Sequence, residues 1–462
     1  MAEPTVVFNS STGSDTEASG AGPSTAVYGA SAAHTSGVAS TTITLTNSPD
    51  LSGVATDGSH VLWLKTASGR QFSKITGKDD VADTVTVDDS FNIALASAVN
   101  YAIGGKRATW NNADSRTLFG ATTSIGFKAG WTVVTETNQT ITTSALSMTG
   151  TGTVTAWITI KGDSTTSRRV INQEGNAALF SGTSGISHLF FENLQLTHSN
   201  ATKTNAWGAQ IRTGPAKAVN CVFGDPVNKL QFAMTRDANC PVIFYSCEFQ
   251  YHTNANGPFE FSKQAGSLSF VNCYSHHNTG VGFNTGENGY IVNCIAAFNG
   301  TDGIRVLTGV DSIVSNSRLV ANCTCHGNTG DGIDISGGDV AAVLINNNVT
   351  GNGGYGIRGN STDNFLLFAD HNNFGTGATA NTSGARLNVA TGANDVELDP
   401  QYVDAANGNF EIGTNLKAKG FPKSSEFVGL NSLTNSFVDI GAAQREEAGG
   451  VRQVNIRGGS DQ

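Results

Sequence analysis

The pair Asn-Cys recurs along the middle of this chain, and its spacing constrains the fold more than any other feature. It stands in "AVNCVF" (218–223), "FVNCYS" (270–275), "IVNCIA" (291–296) and "VANCTC" (320–325), and "FYSCEF" (244–249) keeps the Cys. "FFENLQL" (190–196) aligns with Leu194 in the Cys place, and "LINNNV" (344–349) aligns with Asn347 there. From Leu194 to Asn347 the steps are 27, 26, 26, 21, 29 and 24 residues, a loose repeat. A second block is locked to the first. Asn278, Asn299, Asn328 and Asn352 follow the Cys place by five residues, and Phe283, Ile304, Ile333 and Ile357, each behind a Gly, follow it by ten. Offsets held in four successive repeats mark one structural unit used again and again.

A repeat of this length, rich in strand and turn residues, predicts a coil. Short strands joined by turns stack on their neighbours at the ~4.8 Å inter-strand spacing, and equivalent side chains line up in ladders. Cys221, Cys247, Cys273, Cys294 and Cys323 then form an inward stack of compact apolar groups. The Asn side chains serve backbone groups that corners leave unpaired, and Gly supplies the positive φ that a sharp corner needs.

These repeats resemble those of right-handed parallel β-helix proteins, the pectate-lyase-like superfamily. The resemblance is clear over about 185–376 and extends back to the Thr/Val/Ile alternation of 131–163. "DPQYVDAANGNFEI…VDIGAAQ" (399–444) is similar to the closing segment of many such proteins. The resemblance implies an all-β fold, a right-handed single-stranded parallel β-helix of about ten coils. It implies little about activity, because the superfamily holds lyases, hydrolases, adhesins and viral spikes.

Before the repeat, "TTITLT" (41–46), "HVLWLKT" (60–66) and "TVTVDD" (84–89) alternate as strands do. Residues 1–105 are therefore expected to form an N-terminal β domain, a candidate for attachment to a particle. The β-helix is expected over 106–395, and a C-terminal capping segment with a polar tail over 396–462. "GSDTEASGAGPSTA" and "IGGKRAT" are similar to the openings of β-helix proteins in bacteriophage particles.

Composition narrows the function classes. Only 14% of residues are charged, against roughly 25% in an average domain. The net charge is −10, and no Lys/Arg-rich run occurs, which disfavours direct contact with nucleic acid or an anionic membrane. No apolar stretch approaches the ~20 residues of a membrane helix, so no membrane insertion is expected. The opening lacks a basic and then an apolar region, so synthesis in the cytoplasm without a Sec signal is expected, with the virion as destination. Seven cysteines, an odd number with no CxxC pair, predict neither a closed disulfide framework nor a metal site. No cofactor is expected.

The acids of "NTGDGIDISGG" (328–338) raise a question of chemistry. Asp302 and Asp331 are repeat equivalents, so their carboxyls are expected on adjacent coils about 5 Å apart, near the spacing of a retaining glycosidase pair. Three residues on, Glu260, Asn284, Arg305, Asp334 and Arg358 make one row. Asp302, Asp331, Asp334 and Arg305 are thus the catalytic candidates if the protein is an enzyme, a polysaccharide lyase or glycoside hydrolase. The plainer reading is a corner, since Asp before Gly is ordinary turn chemistry and Arg305, Asp334 and Arg358 alternate in sign as a solvated ladder does. Within the repeat region neither the paired Asp-Asp nor the Gly-His-Gly of polygalacturonase-type hydrolases occurs.

His276, His277 and His326 flank the same turn and read as solvated. Cys323 and Cys325 read as interior. Trp110, Trp131, Trp157 and Trp207 read as strand packing more than as a sugar platform.

The sequence therefore favours a structural protein of a bacteriophage virion, a spike or capsid decoration. The resemblance implies a homotrimer with phage capsid or tail proteins as partners and host-surface polysaccharide as a further contact. The alternatives are a tailspike polysaccharide depolymerase and a bacterial adhesin or secreted carbohydrate-binding protein.

Overall fold

The computed structural model describes residues 5–8, 27–33, 41–45, 51, 54, 56, 61–66, 69–87, 99–103, 106–107, 132–135, 138–141, 146–148, 157–175, 180–182, 188–199, 207–211, 215–236, 241–261, 268–285, 289–306, 317–335, 341–360, 366–416, 419–421 and 439–442. They fall into two compact units, Met1–Ala216 and Lys217–Gln462. Trp110, Trp131, Cys240 and the polar tail 445–462 lie outside the described residues.

In the first unit, six antiparallel strands close a barrel in the order Val27–Ala33, Thr42–Leu45, Thr84–Val87, Gly69–Asp79, Val61–Thr66 and Val99–Ile103. Alternation fills it: Ile43, Leu45, Leu62, Val85 and Val87 form one buried cluster with Leu51, Val54 and Ile75. Closure removes the free edges that a six-stranded open sheet would expose. The strand Thr5–Phe8 lies elsewhere. It pairs in parallel with Thr132–Thr135 and with Lys106–Arg107, so the first strand of the chain shares a sheet with coil strands. Three coils follow, beginning with Thr132–Thr135, Ile158–Gly162 and Leu189–Glu192, which pair in parallel.

In the second unit each coil contributes a strand to three parallel sheets. The first sheet holds Ala216–Val219, Val242–Tyr245, Leu268–Val271, Tyr290–Val292, Ser317–Ala321, Ala341–Ile345 and Leu366–Asp370. The second holds Val222–Phe223, Glu248–Gln250, Tyr274–His276, Ile295–Ala297, Thr324–His326 and Asn348–Thr350. On the third side Phe232–Arg236 pairs with Phe259–Phe261. Further along that side come Phe283–Thr285, Ile304–Val306, Ile333–Ile335, Tyr355–Gly359 and Gly384–Leu387. The fold is an all-β parallel β-helix, as the repeat predicts. Six coils of this unit carry all three strands, so the expected ten coils slightly exceed those described.

The ladders fill the coil. Cys221, Cys247, Cys273, Cys294 and Cys323 are buried, and so is Cys325. The Sγ atoms of Cys247, Cys273 and Cys323 each approach a carbonyl of the preceding coil at 3.4–3.5 Å. Beside them Phe223, Phe244, Phe249, Phe259, Phe270 and Phe283 stack, with neighbouring ring centroids 4.9–5.8 Å apart. Full burial of each ring is worth about 1.5–3 kcal/mol, so this stack is a large part of the core.

The Asn block forms a polar ladder inside the corner. The Nδ2 of Asn278 donates to the Oδ1 of Asn299, that of Asn299 to Asn328, of Asn328 to Asn352 and of Asn352 to Asn381, each at 2.8–2.9 Å. Each of these Oδ1 atoms also accepts the backbone N–H of the Asn before it. A buried amide survives only when such partners are supplied, and here the neighbouring coil supplies them.

Gly takes positive φ at the corner after the second sheet in two coils, Gly327 at 64° and Gly351 at 65°, but not at the corner before it. The positive φ between the first and second sheets is carried by the residue before the Cys place, with Asn220, Asn272, Asn293, Asn322 and Asn346 at 51–59° and Ser246 at 52°. Asn tolerates this region because its side chain bonds locally. The glycines of the "DGI" blocks serve close approach instead. A Cβ on Gly303 would stand 2.7 Å from the carbonyl oxygen of Gly332 and 2.8 Å from Asn328 Nδ2.

The C-terminal segment crosses the outside of the second sheet. Phe410 packs with Tyr274, Ile295 and Ala297, and Tyr402, Ala405 and Ala442 join them. Ile412, Leu416 and Ile440 form a second small cluster with Val396 and Leu398.

Candidate functional site

The four candidate residues come together on the third side of the coil. Arg305 pairs in register with Asn284 on one side and Asp334 on the other, and Asp334 pairs with Arg358. Carboxylate oxygens of Asp302, Asp331 and Asp334 all lie within 4.8 Å of one another. The expected spacing of the pair is therefore met, and Asp334 joins it.

The expected solvation is not met. Asp302, Asp331 and Asp334 are buried, Arg305 is partly buried and Arg358 is about half exposed. The reason is that two of the acids turn back onto the coil stack. Asp302 Oδ1 accepts the backbone N–H of Asp331 at 2.9 Å, and Asp331 Oδ1 accepts that of Tyr355 at 2.6 Å. Gly330 and Gly354 make room, since a Cβ on either would collide with Asp302 Oδ1 or Asp331 Oδ1. The remaining oxygens face guanidinium groups. Arg305 donates to Asp302 Oδ2 through Nε at 3.0 Å and Nη2 at 2.6 Å, and stands 3.5 Å from Asp334 Oδ2. Arg358 donates to Asp331 Oδ2 at 3.3 Å.

Burial raises the Asp302 carboxyl above the usual carboxylate range, against the pull of the Asp331 N–H and Arg305. Asp331 holds Arg358 more firmly protonated through their hydrogen bond. Three carboxylates so close are also the one group of possible cation ligands among the described residues. A cation there would compete with Arg305 and Arg358 for Oδ2 of Asp302 and Asp331. Asn284 is buried beside Arg305, and its Oδ1 has no donor among the described residues.

The histidines are a second correction. His276 is buried: its Nε2 meets Glu248 Oε1 at 2.8 Å and its Nδ1 meets His277 Nδ1 at 2.8 Å. One proton must lie between the two Nδ1 atoms. His277 is exposed and stacks on Tyr251. His326 is half-buried under Tyr402 and Phe410, with ring centroids 5.0 and 5.7 Å away. Solvation fails for His326 because Tyr402 and Phe410 return over it from far along the chain, and for His276 because Tyr274 stacks on its ring at 4.1 Å while Glu248 and His277 hold its two nitrogens. The pairing of Glu248 with His276 is visible only after the fact, as two polar residues 28 apart in a repeat of similar length. Trp157 packs edge-on to His188 at 5.3 Å.

A family model supports the fold over the repeat. Residues 185–374 match the family model described as a right handed beta helix region. This gives the coil its hand. Similar solved structures include the pectate lyase Pel9A, at 16% identity and TM-score 0.44, over 69% of this chain and 89% of that one. The A-module of the mannuronan C-5 epimerase AlgE4 of Azotobacter vinelandii is similar at 14% identity and TM-score 0.38, over 54% and 70%. The PL6 family polysaccharide lyase Pedsa3628 of Pseudopedobacter saltans is similar at 11% identity and TM-score 0.29, over 66% and 96%. Comparison with curated protein sequences gives no match.

Proposed function

We propose that this chain is a non-catalytic scaffold of a bacteriophage virion surface, a spike or capsid decoration that contacts host-surface glycan. One observation carries the non-catalytic part. The two repeat-equivalent acids cap backbone N–H groups of the next coil with one oxygen and hold a guanidinium with the other. A general acid or nucleophile must reach a substrate oxygen or anomeric carbon with an oxygen of its own. The virion part rests on the resemblance of the opening segments. The glycan part rests on the Arg/Asp row, whose partly exposed Arg305 and Arg358 offer donors to hydroxyl groups.

A depolymerase is the second reading, favoured by the three carboxylates gathered within 4.8 Å and by the burial that raises the Asp302 carboxyl. The test uses purified chain and capsular or lipopolysaccharide glycan from the host of the particle that carries it. The scaffold reading expects retention of glycan without new reducing ends or unsaturated sugars, and the chain present in purified particles. Release of oligosaccharide that Asp302→Asn abolishes would replace it with the enzyme. Absence of the chain from particles would remove the virion role.

A further inference from the structure

Three sides of the second unit's coil present different chemistry. The second sheet is covered by the chain's own Tyr402 and Phe410. The third carries the Arg/Asp row. The first exposes a set of large apolar side chains. Nine large apolar side chains are exposed among the described residues, and five of them, Ile243, Tyr245, Tyr290, Leu319 and Phe368, stand on this one sheet.

Register aligns them in two rows. One runs Ile243, Ser269, Tyr290, Leu319, Val343, Phe368. The other, two residues further along each strand, runs Tyr245, Val271, Val292, Ala321, Ile345, Asp370. Asp370, at the far end, is the single charge. Ser269 and Ala321 are buried within these rows, but a sheet face meant for water carries polar residues at such positions, so the five exposed apolar side chains mark a strip of contact surface.

The occupant is argued from charge, size and spacing. The chain carries a net charge of −10, so two copies repel on average. This strip lets two copies approach with almost no carboxylate facing another. Six strands at ~4.8 Å and two rows of side chains make a strip of roughly 400 Å². That suits the apolar core of a standard interface of about 800 Å² per partner, whose polar rim supplies the rest. Rows on two copies share one repeat distance, so their side chains can interdigitate along the whole strip, as in stacked sheets ~10 Å apart. We propose that the outer face of the first sheet is a self-association surface, on which a second copy of this chain packs through Tyr290, Leu319 and Phe368. This holds whether or not the chain binds glycan.

The experiment measures the mass of the full chain by sedimentation or light scattering between about 1 and 50 µM, the range over which micromolar affinity shows. The expected result is a whole multiple of the monomer mass. Leu319→Lys with Phe368→Lys should return the monomer, while circular dichroism and the melting transition stay as in the wild type, since both side chains already face water. Arg358→Glu, on the third side, should leave the oligomer intact. A wild-type monomer at ~50 µM overturns the proposal, and so does an oligomer that survives both lysines. A wild-type monomer whose strip is shielded from solvent only after another macromolecule is added would give the face a different occupant, and would equally overturn it.

Discussion

Asp302 Oδ1 accepts the backbone N–H of Asp331 at 2.9 Å, so the acid of one coil caps the acid-bearing corner of the next. The relation repeats one coil on, from Asp331 to Tyr355. It accounts for the regular placement of these acids without any reaction, and it can be tested by substitution.

Asp331→Asn keeps an oxygen for the Tyr355 N–H and loses only the pair with half-exposed Arg358, so its cost should stay below about 1 kcal/mol. Asp331→Ala leaves the N–H without its acceptor and should cost about 1–3 kcal/mol. Urea unfolding of the three proteins measures both. Equal costs for Asn and Ala would show that the corner does not depend on the cap.

The Asn ladder should be far less tolerant. Asn328 accepts from the Nδ2 and backbone N of Asn299 and donates to Asn352 Oδ1 and the Ala296 carbonyl. Asn328→Leu strands groups on both neighbouring coils, at about 1–3 kcal/mol for each group left buried and unpaired. Faster amide exchange at 299–304 and 352–357 than at the barrel strands should reveal a local opening. An unchanged exchange pattern would mean that the ladder contributes order without stability.

Cys221, Cys247, Cys273, Cys294, Cys323 and Cys325 should resist thiol reagents in the native state. All are buried, and burial pushes the Cys247, Cys294 and Cys325 thiols up, which starves them of thiolate. Peptide mapping after brief alkylation checks each residue separately, and rapid native labelling of any two would break the inward register. Cys294→Asp should unfold the coil locally, because it buries an unpaired charge.

Acid should weaken the second unit through its histidines. Burial pushes His252 down to about 3, despite its hydrogen bond to Asn278, and holds His326 below the ordinary value. These groups stay neutral in the folded chain while the unfolded chain protonates near pH 6.5. The unfolded state then binds more protons, so stability is full above about pH 6.5 and falls towards pH 3, by on the order of 4 kcal/mol for His252 alone. Asp302, with its raised carboxyl, acts in the opposite sense at the acid end of this range. Denaturation midpoints from pH 7.5 to 4 measure the slope, and His252→Gln should flatten it. A midpoint that does not fall would show that these rings are solvated.

Much of this was legible in the residues. The Asn-Cys spacing gave the parallel coil, the inward Cys stack and the register of Asn284, Arg305, Asp334 and Arg358, because a ladder needs only a period and an offset. The role of the Asn in the pair itself was less visible. The sequence marks its position but not its φ, and Asn293 and Asn322 share with Gly327 and Gly351 the positive φ that had been expected of Gly. The strand Thr5–Phe8 was invisible as a partner of Thr132–Thr135, since nothing local encodes a pairing across 127 residues.

The sequence by itself determined which residues share a row and which residues face in, since both follow from the repeat and from strand alternation. Tertiary structure alone decided what each row touches. Asp302 and Asp331 turned inward because a backbone N–H of the next coil lay within reach, and an unpaired N–H at a buried corner costs more than a solvated carboxylate gains. His326 lost its water because Tyr402 and Phe410 returned over it from about eighty residues away. Contacts between distant segments depend on the summed burial of both, which no local window of sequence contains.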